Sequence, residues 1–90
     1  MTVHKIDKEQ IRRTVLRFLA RAVDGVDPEN VDTSRSMKDL GANSIDIVEV
    51  VSSTMRELRI KVPRTELNAL TNIDELVDLL HARAQATSGS

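Results

Sequence analysis

Several residue types that carry chemistry are absent or rare in this chain of 90 residues. It has no cysteine, tryptophan or tyrosine, and Phe18 is its one aromatic residue. The absence of cysteine excludes disulfides and thiolate metal sites, so any thiol chemistry requires an added group. One aromatic residue is too few for a platform that stacks single-stranded nucleic acid. No apolar run is long enough for a transmembrane helix or a signal peptide, so we expect a cytoplasmic protein with no membrane partner.

What remains is the composition of one small globular domain. Apolar residues make up 40% of the chain and charged residues 30%, which is typical of a folded protein. A core almost without aromatic residues indicates packed aliphatic helices. We expect a single domain over residues 1–90, with its core at about 7–84 and a frayed polar tail at 85–90. The start at Met1 and the short tail favour a free-standing protein, which we expect to be a monomer.

Charged residues are segregated, although the formal net charge is only −1. Residues 1–23 hold six cations and two acids, a net charge of +4, whereas residues 24–49 hold seven acids and two cations, a net charge of −5. The acidic segment is either a field that attracts a basic partner or a solvated loop rich in aspartate. The cations of the basic segment alternate with a core-facing stripe, which favours a solvated helix face and no nucleic-acid partner.

Apolar residues recur at helical spacing in the first and middle parts of the chain. The first helix has Asp7 as its N-cap with Gln10 at the capping-box position, and Asp24-Gly25 marks its end. Its predicted core stripe is Ile11, Val15, Phe18, Leu19 and Ala22. The second helix is predicted at 44–58. Its predicted core sector is Ile47, Val50, Val51, Thr54 and Leu58, with Val48 and Met55 on the margin.

The connections and the last helices complete an all-α pattern. Residues 25–43 form a long first loop, and its apolar residues should pin it to the helices: Val26, Val31, Met37 and Leu40. Residues 59–62 alternate like a strand, but no partner strand exists, so we predict an extended linker ending at Pro63.

A short helix at 65–70 precedes a fourth helix, which has Thr71 as its cap and Asp74 at the capping-box position. Its predicted stripe is Ile73, Leu76, Val77, Leu80 and Ala84. The fold class is therefore a small up-down helical bundle of three main helices plus one short helix, with a long first loop.

The segment Asp39-Leu40-Gly41-Ala42-Asn43-Ser44-Ile45-Asp46 joins the long loop to the second helix. Asn43 and Ser44 both have side chains that can cap a helix. The first backbone N–H groups of a helix lack partners and carry partial positive charge, so a phosphate attached to Ser44 would be well placed.

A catalytic role for Ser44 would need a general base or metal ligands near it, and the sequence indicates neither. His4 and His81 lie in terminal segments far from Ser44 and are expected to be exposed helix-end residues rather than a base. Asp46 and Glu49 share a helix face, but no metal ligands accompany them, so surface charge is the favoured interpretation.

Leu40-Gly41-Ala42-Asn43-Ser44-Ile45 resembles the modification site of acyl carrier proteins, whose core usually reads Leu-Gly-x-Asp-Ser-Leu. Asn43 replaces the usual aspartate and Ile45 the usual leucine. The resemblance extends over about 7–84, because the helix layout and Val62-Pro63 also match. It implies that a phosphopantetheinyl transferase attaches 4′-phosphopantetheine from coenzyme A to Ser44. The thiol of that group would hold acyl intermediates as thioesters for an acyltransferase, a ketosynthase or another synthase enzyme, and the chain itself would not be an enzyme.

By family position, the partner-recognition residues are Asn43, Ile45, Asp46, Val48, Glu49, Met55 and Arg56. The mixed charges of the second helix are unlike the strongly acidic helix of fatty-acid carriers. The variant motif is more similar to discrete carriers of polyketide or mixed polyketide–peptide pathways. A peptidyl or aryl carrier, a fatty-acid carrier, and a helical adaptor in which Ser44 is an unmodified cap stay open as alternatives.

Overall fold

The computed structural model describes residues 7–67 and 72–87 of the chain. Four helices occur in these ranges, and no strand does: α1 is Lys8–Ala22, α2 is Ser44–Leu58, α3 is Arg64–Leu67 and α4 is Ile73–Thr87. The first helix packs against both α2 and α4. The all-α prediction of three main helices and one short helix is therefore confirmed. None of these helices is long and apolar enough to span a membrane, within the described ranges.

Helix α1 begins at the predicted cap, because Asp7 Oδ1 accepts a hydrogen bond of 2.7 Å from the Gln10 N–H. It ends at Ala22 with Val23 as its C-cap, slightly before the predicted Asp24-Gly25 signal. Helix α2 spans the predicted residues. Its buried side chains are Val50, Val51, Thr54 and Leu58, and Ile47 packs partly buried against them. Thr54 is fully buried, and its hydroxyl donates to the Val50 carbonyl at 2.8 Å.

The last two helices differ from the prediction at their ends. Within the described residues the third helix is only Arg64–Leu67, and residues 68–71, which include the rest of the predicted 65–70 helix, lie outside them. Thr71, the predicted cap of α4, lies outside the described residues, and Asn72 Oδ1 accepts a hydrogen bond of 2.7 Å from the Glu75 N–H. The asparagine directly before Ile73 provides the cap in place of the expected threonine. Residues 85–87 of the predicted tail belong to α4, which continues to Thr87, and residues 88–90 lie outside the described residues.

One aliphatic core includes residues of α1, α2, α4, the long first loop and the 59–62 linker. Its buried members are Ile11, Val15, Leu16, Leu19, Val23, Ala42, Val50, Val51, Leu58, Ile60, Val62, Ile73, Leu76, Val77, Leu80 and Ala84. The four predicted loop anchors pack partly buried against this core: Val26, Val31, Met37 and Leu40. The 59–62 linker forms neither helix nor strand, in agreement with the prediction of a linker, and it buries Ile60 and Val62.

The long loop also closes the start of α4. The Ile73 N–H donates to the Arg35 carbonyl at 3.2 Å, and the Asp74 N–H donates to the Thr33 carbonyl at 2.9 Å. These bonds satisfy two of the N–H groups that a helix start leaves without partners. The loop that leads to Ser44 is therefore held against α4 by backbone bonds as well as by apolar packing.

Candidate functional site

A tight turn carries the chain into α2. The Leu40 N–H and the Ala42 N–H both donate to the Met37 carbonyl, at 3.1 and 3.0 Å, and the Gly41 N–H donates to the Lys38 carbonyl at 3.0 Å. Gly41 has φ +105°, a conformation that strains residues with a Cβ. Ala42 is buried next in sequence. The Leu-Gly-Ala sequence thus anchors the turn on the core immediately before the cap.

The start of α2 is held by a reciprocal pair of hydrogen bonds. Asn43 Oδ1 accepts from the Asp46 N–H at 2.8 Å, and Asp46 Oδ2 accepts from the Asn43 N–H at 3.2 Å. Of the two residues that could cap the helix, Asn43 is the cap, so Ser44 does not have the capping role that the adaptor alternative gave it. The capping function of Asp46 was not predicted from the sequence, although its three-residue spacing from Asn43 is the signal of a capping box.

Ser44 is the first residue of α2, and its side chain is exposed. Its hydroxyl makes no hydrogen bond with any described residue. The backbone N–H groups of Ser44 and Ile45 likewise have no acceptor within the described ranges. The positive end of the helix dipole and two free donors therefore surround an accessible hydroxyl.

The residues assigned to partner recognition fall into two groups. Ile45 is 76% exposed and Val48 is 54% exposed, so placing Val48 on the margin of the core is wrong. Glu49 and Arg56 are exposed on the same helix. They form no ion pair with described residues. A partner can reach all four directly.

The other three of these residues serve the fold. Asn43 and Asp46 form the capping box, and Met55 packs partly buried against the core, as its margin position predicted. Asp46 is thus engaged by the backbone and does not form a carboxylate pair with Glu49.

Among the described residues, no histidine or carboxylate forms a hydrogen bond with the Ser44 hydroxyl. No group of three or more histidine, aspartate or glutamate side chains that could hold a metal ion occurs in the described parts of the chain. His81 lies half-buried within α4 rather than exposed at a helix end as expected, and His4 lies outside the described residues. Ser44 thus presents an exposed hydroxyl at the start of α2.

Comparisons with known proteins agree with this geometry. Residues 14–80 match the family model described as "Phosphopantetheine attachment site". The chain is 27% identical over 81 residues to the polyketide biosynthesis acyl-carrier-protein AcpK of Bacillus subtilis (strain 168), covering 90% of this chain and 99% of AcpK. It is 38% identical over 56 residues to an acyl carrier protein of Campylobacter curvus (strain 525.92), covering 61% of this chain and 73% of that protein. No solved structure gives a significant match. The chain therefore belongs to the acyl carrier proteins, a family of non-catalytic proteins that carry phosphopantetheine.

Proposed function

We propose that Ser44 is the attachment site of 4′-phosphopantetheine and that this carrier serves polyketide or related secondary-metabolite biosynthesis. The observation that carries the proposal is the exposed hydroxyl of Ser44, which is free because Asn43 supplies the cap of α2. The name of the Bacillus subtilis relative supports the polyketide role, since the similarity extends over nearly the whole of both chains.

A phosphate group fits the start of α2. The N–H groups of Ser44 and Ile45 have no acceptor in the described residues, and anions are favoured at the N-terminal end of a helix. Because the capping box uses only the Asn43 and Asp46 N–H groups, these two donors stay available after the helix has been capped. The residues that would hold the phosphate are thus Ser44, through its oxygen, and the first turn of α2, through its backbone.

The proposed loading partner is a phosphopantetheinyl transferase with coenzyme A as the donor. Ser44 Oγ forms a bond to the phosphorus of the phosphopantetheine, and the bond from this phosphorus to the nucleotide's phosphate oxygen breaks. The hydroxyl proton passes to a base of the transferase, which also supplies the magnesium ion for the phosphoryl transfer. Once attached, the group provides a thiol that carries acyl chains as thioesters between synthase enzymes such as acyltransferases and ketosynthases.

Four exposed residues of α2 are the proposed direct contacts of these enzymes. Ile45 and Val48 offer apolar surface beside Ser44, and Glu49 and Arg56 add one charge of each sign. Burying an exposed aliphatic side chain in a partner is worth roughly 1.5–3 kcal/mol, so the two apolar residues should provide most of the affinity. Asn43, Asp46 and Met55 act on recognition through the shape of the helix and its first turn.

The test of the attachment site is the intact mass of the protein before and after incubation with coenzyme A, magnesium and a broad-specificity transferase. The wild-type chain should gain one phosphopantetheine. Ser44→Ala should fold and gain nothing, whereas the control Ser52→Ala, at a half-buried position further along the same helix, should still be modified. No gain in the wild-type protein with two different transferases, the second tried because of Asn43, would favour the adaptor function.

The cargo is tested on the modified protein. A polyketide carrier should accept an acyl group from an acyltransferase and an acyl-coenzyme A donor. A peptidyl or aryl carrier should instead be loaded by an adenylating enzyme with an amino or aryl acid and ATP. Loading by only the second route would overturn the polyketide assignment and leave Ser44 as the attachment site.

A further inference from the structure

Three exposed cations lie at the C-terminal end of α2, far from Ser44, and they form no ion pair with any described residue. Arg56, Arg59 and Lys61, which we call the distal basic patch, are all exposed. None of them forms an ion pair with a described residue. The one acid between them, Glu57, is paired with Arg17 of α1. The patch therefore has three free positive charges and no free negative charge.

The backbone at the end of α2 directs these side chains to solvent. Arg59 is the C-cap, with φ +57° and ψ +44°, and it turns the chain out of the helix. In the linker that follows, Ile60 and Val62 are 3% and 9% exposed. Lys61, between these two buried residues, is exposed, and so is Arg59 at the C-cap. Burial of the linker in the core thus keeps the patch exposed.

The two ends of α2 consequently differ in charge. Glu49, near Ser44, is an exposed acid that forms no ion pair with a described residue, whereas Arg56, Arg59 and Lys61 at the distal end are exposed cations that form none either. The apolar residues Ile45 and Val48 lie at the Ser44 end. Arg56 is 11 residues after Ile45 in the numbering, which corresponds to about 16 Å along a helix. A partner that covers this helix meets apolar surface at one end and positive charge at the other.

We propose that the distal basic patch docks an acidic surface of a protein partner, and that this contact fixes the direction in which α2 is bound. The proposal rests on the proposed function, because the partner is an enzyme that works on the group at Ser44. Such a partner has an apolar recess for Ile45 and Val48, and carboxylates about 16 Å away along the helix axis. Complementary charges steer the encounter and suppress the reversed orientation, in which the partner's carboxylates would face Glu49.

A protein surface fits the patch better than the other polyanions. The chain has a formal net charge of −1, and its one aromatic residue, Phe18, is half-buried beneath Arg17 and Arg21, so bases find no stacking platform. A second copy of the chain could offer its own acidic loop. That contact would join two different surfaces, and such contacts tend to form open chains rather than closed pairs.

The experiment titrates the isotope-labelled protein with helical peptides and follows its amide chemical shifts. The probe is an alanine-based peptide of about 20 residues, long enough for a helix, with leucines at one end and three glutamates at the other. A second peptide has lysines in place of the glutamates, and a single-stranded oligonucleotide is the third ligand. The variant is the triple reversal of Arg56, Arg59 and Lys61 to glutamate. Its control reverses Arg21, Arg35 and Lys38, which changes the net charge equally at other exposed sites.

The glutamate peptide should shift the amides of the patch and bind the triple variant about three- to tenfold more weakly than the wild type, given the modest strength of exposed ion pairs. The control variant should bind within about twofold of wild type, and the preference should vanish near 1 M salt, where the Debye length is about 3 Å. Equal weakening by both variants, equal binding of the lysine peptide, or tighter binding of the oligonucleotide would each overturn the proposal. Dependence of the shifts on protein concentration without peptide would overturn it in favour of self-association.

Two measurements keep the result interpretable. Circular dichroism checks the fold of the triple variant, because cations near a helix C-terminus also stabilise the helix. If it does not fold, the triple change to glutamine removes the charges without reversing them and should lose the preference for glutamate. The intact-mass experiment on Ser44 is read separately, so a chain can be modified and lack the charge preference, or show the preference and resist modification.

Discussion

The N-termini of α2 and α4 are both capped by an asparagine, but the first is exposed and the second is covered by the long loop. Helices α2 and α4 both have 15 residues, and an asparagine before each accepts a hydrogen bond from the third N–H of its helix. At α4, loop carbonyls occupy the first two N–H groups, and the first residue, Ile73, is fully buried. At α2, the first two N–H groups have no acceptor among the described residues, and the first residue, Ser44, is exposed.

This difference shows that the first N–H groups of a helix are accessible to an anion only where the rest of the chain leaves them uncovered. The loop of residues 23–43 produces both situations, since its middle covers the start of α4 and its end leaves the start of α2 uncovered. An apolar residue fits the covered start and a serine fits the open one. The sequence difference between Ile73 and Ser44 thus follows the packing of one loop.

The largest expected effect is on the free energy of unfolding, and it separates the isoleucine at the start of α4 from the isoleucine at the start of α2. Ile73→Ala should lower the free energy of unfolding by about 2–5 kcal/mol, because it leaves a cavity in the core. Ile45→Ala should change it by less than about 0.5 kcal/mol, because that side chain is 76% exposed. Urea unfolding followed by circular dichroism measures both values.

The Ile45→Ala variant also distinguishes an effect on partner binding from an effect on stability. Ile45→Ala should weaken binding to a modifying or synthase enzyme while the protein unfolds at the wild-type urea concentration. A large loss of stability in Ile45→Ala would mean that the start of α2 is covered, and the contrast between the two starts would be wrong.

The positions of α1 and α2 could be predicted from the sequence, whereas the covering of the start of α4 by the long loop could not. Periodicity located α1 and α2 well, since both have strong apolar stripes and clear caps. The sequence pattern predicts the cap of α4 only to within a few residues, because Thr71 and the neighbouring Asn72 both have side chains that can cap a helix. The exposure of Ser44 followed from the motif. The closure of α4 by the carbonyls of Thr33 and Arg35 could not be predicted, because backbone acceptors in a loop have no residue signature.

A smaller effect is expected at the turn that leads to the open start. Gly41→Ala should destabilise the protein by about 1–2 kcal/mol, because φ +105° is unfavourable for a residue with a Cβ. The added Cβ would also lie 3.4 Å from a Val23 methyl group. Gly25→Ala is the matched control, since Gly25 has φ +87° and a methyl group added there would meet no atom within 4 Å. Thermal unfolding should rank Gly41→Ala as the more damaging change, and the reverse order would show that the Val23 contact does not matter.

The smallest effect is a pH dependence of the loop that closes α4. Asp32 Oδ1 accepts hydrogen bonds from the Ser34 hydroxyl and the Ser34 N–H, and these bonds hold the pKa of Asp32 below its ordinary value. A lowered pKa in the folded state means that the unfolded chain binds the proton more readily. The carboxylate therefore stabilises the fold above the unfolded pKa of about 3.9, and this contribution is lost as the pH falls through the folded pKa.

Asp32→Asn isolates this contribution, because asparagine can still accept a hydrogen bond but does not ionise in this range. The difference in Tm between wild type and Asp32→Asn should be greatest near neutral pH and should shrink as the pH falls below about 3.9. Asp24→Asn is the control, since no described residue donates a hydrogen bond to Asp24. The amide shifts of Ile73 and Asp74 should follow the same titration, because their acceptors, the Arg35 and Thr33 carbonyls, flank Ser34. If those shifts stay constant while Tm changes, the Asp32 turn stabilises the loop without holding it on α4.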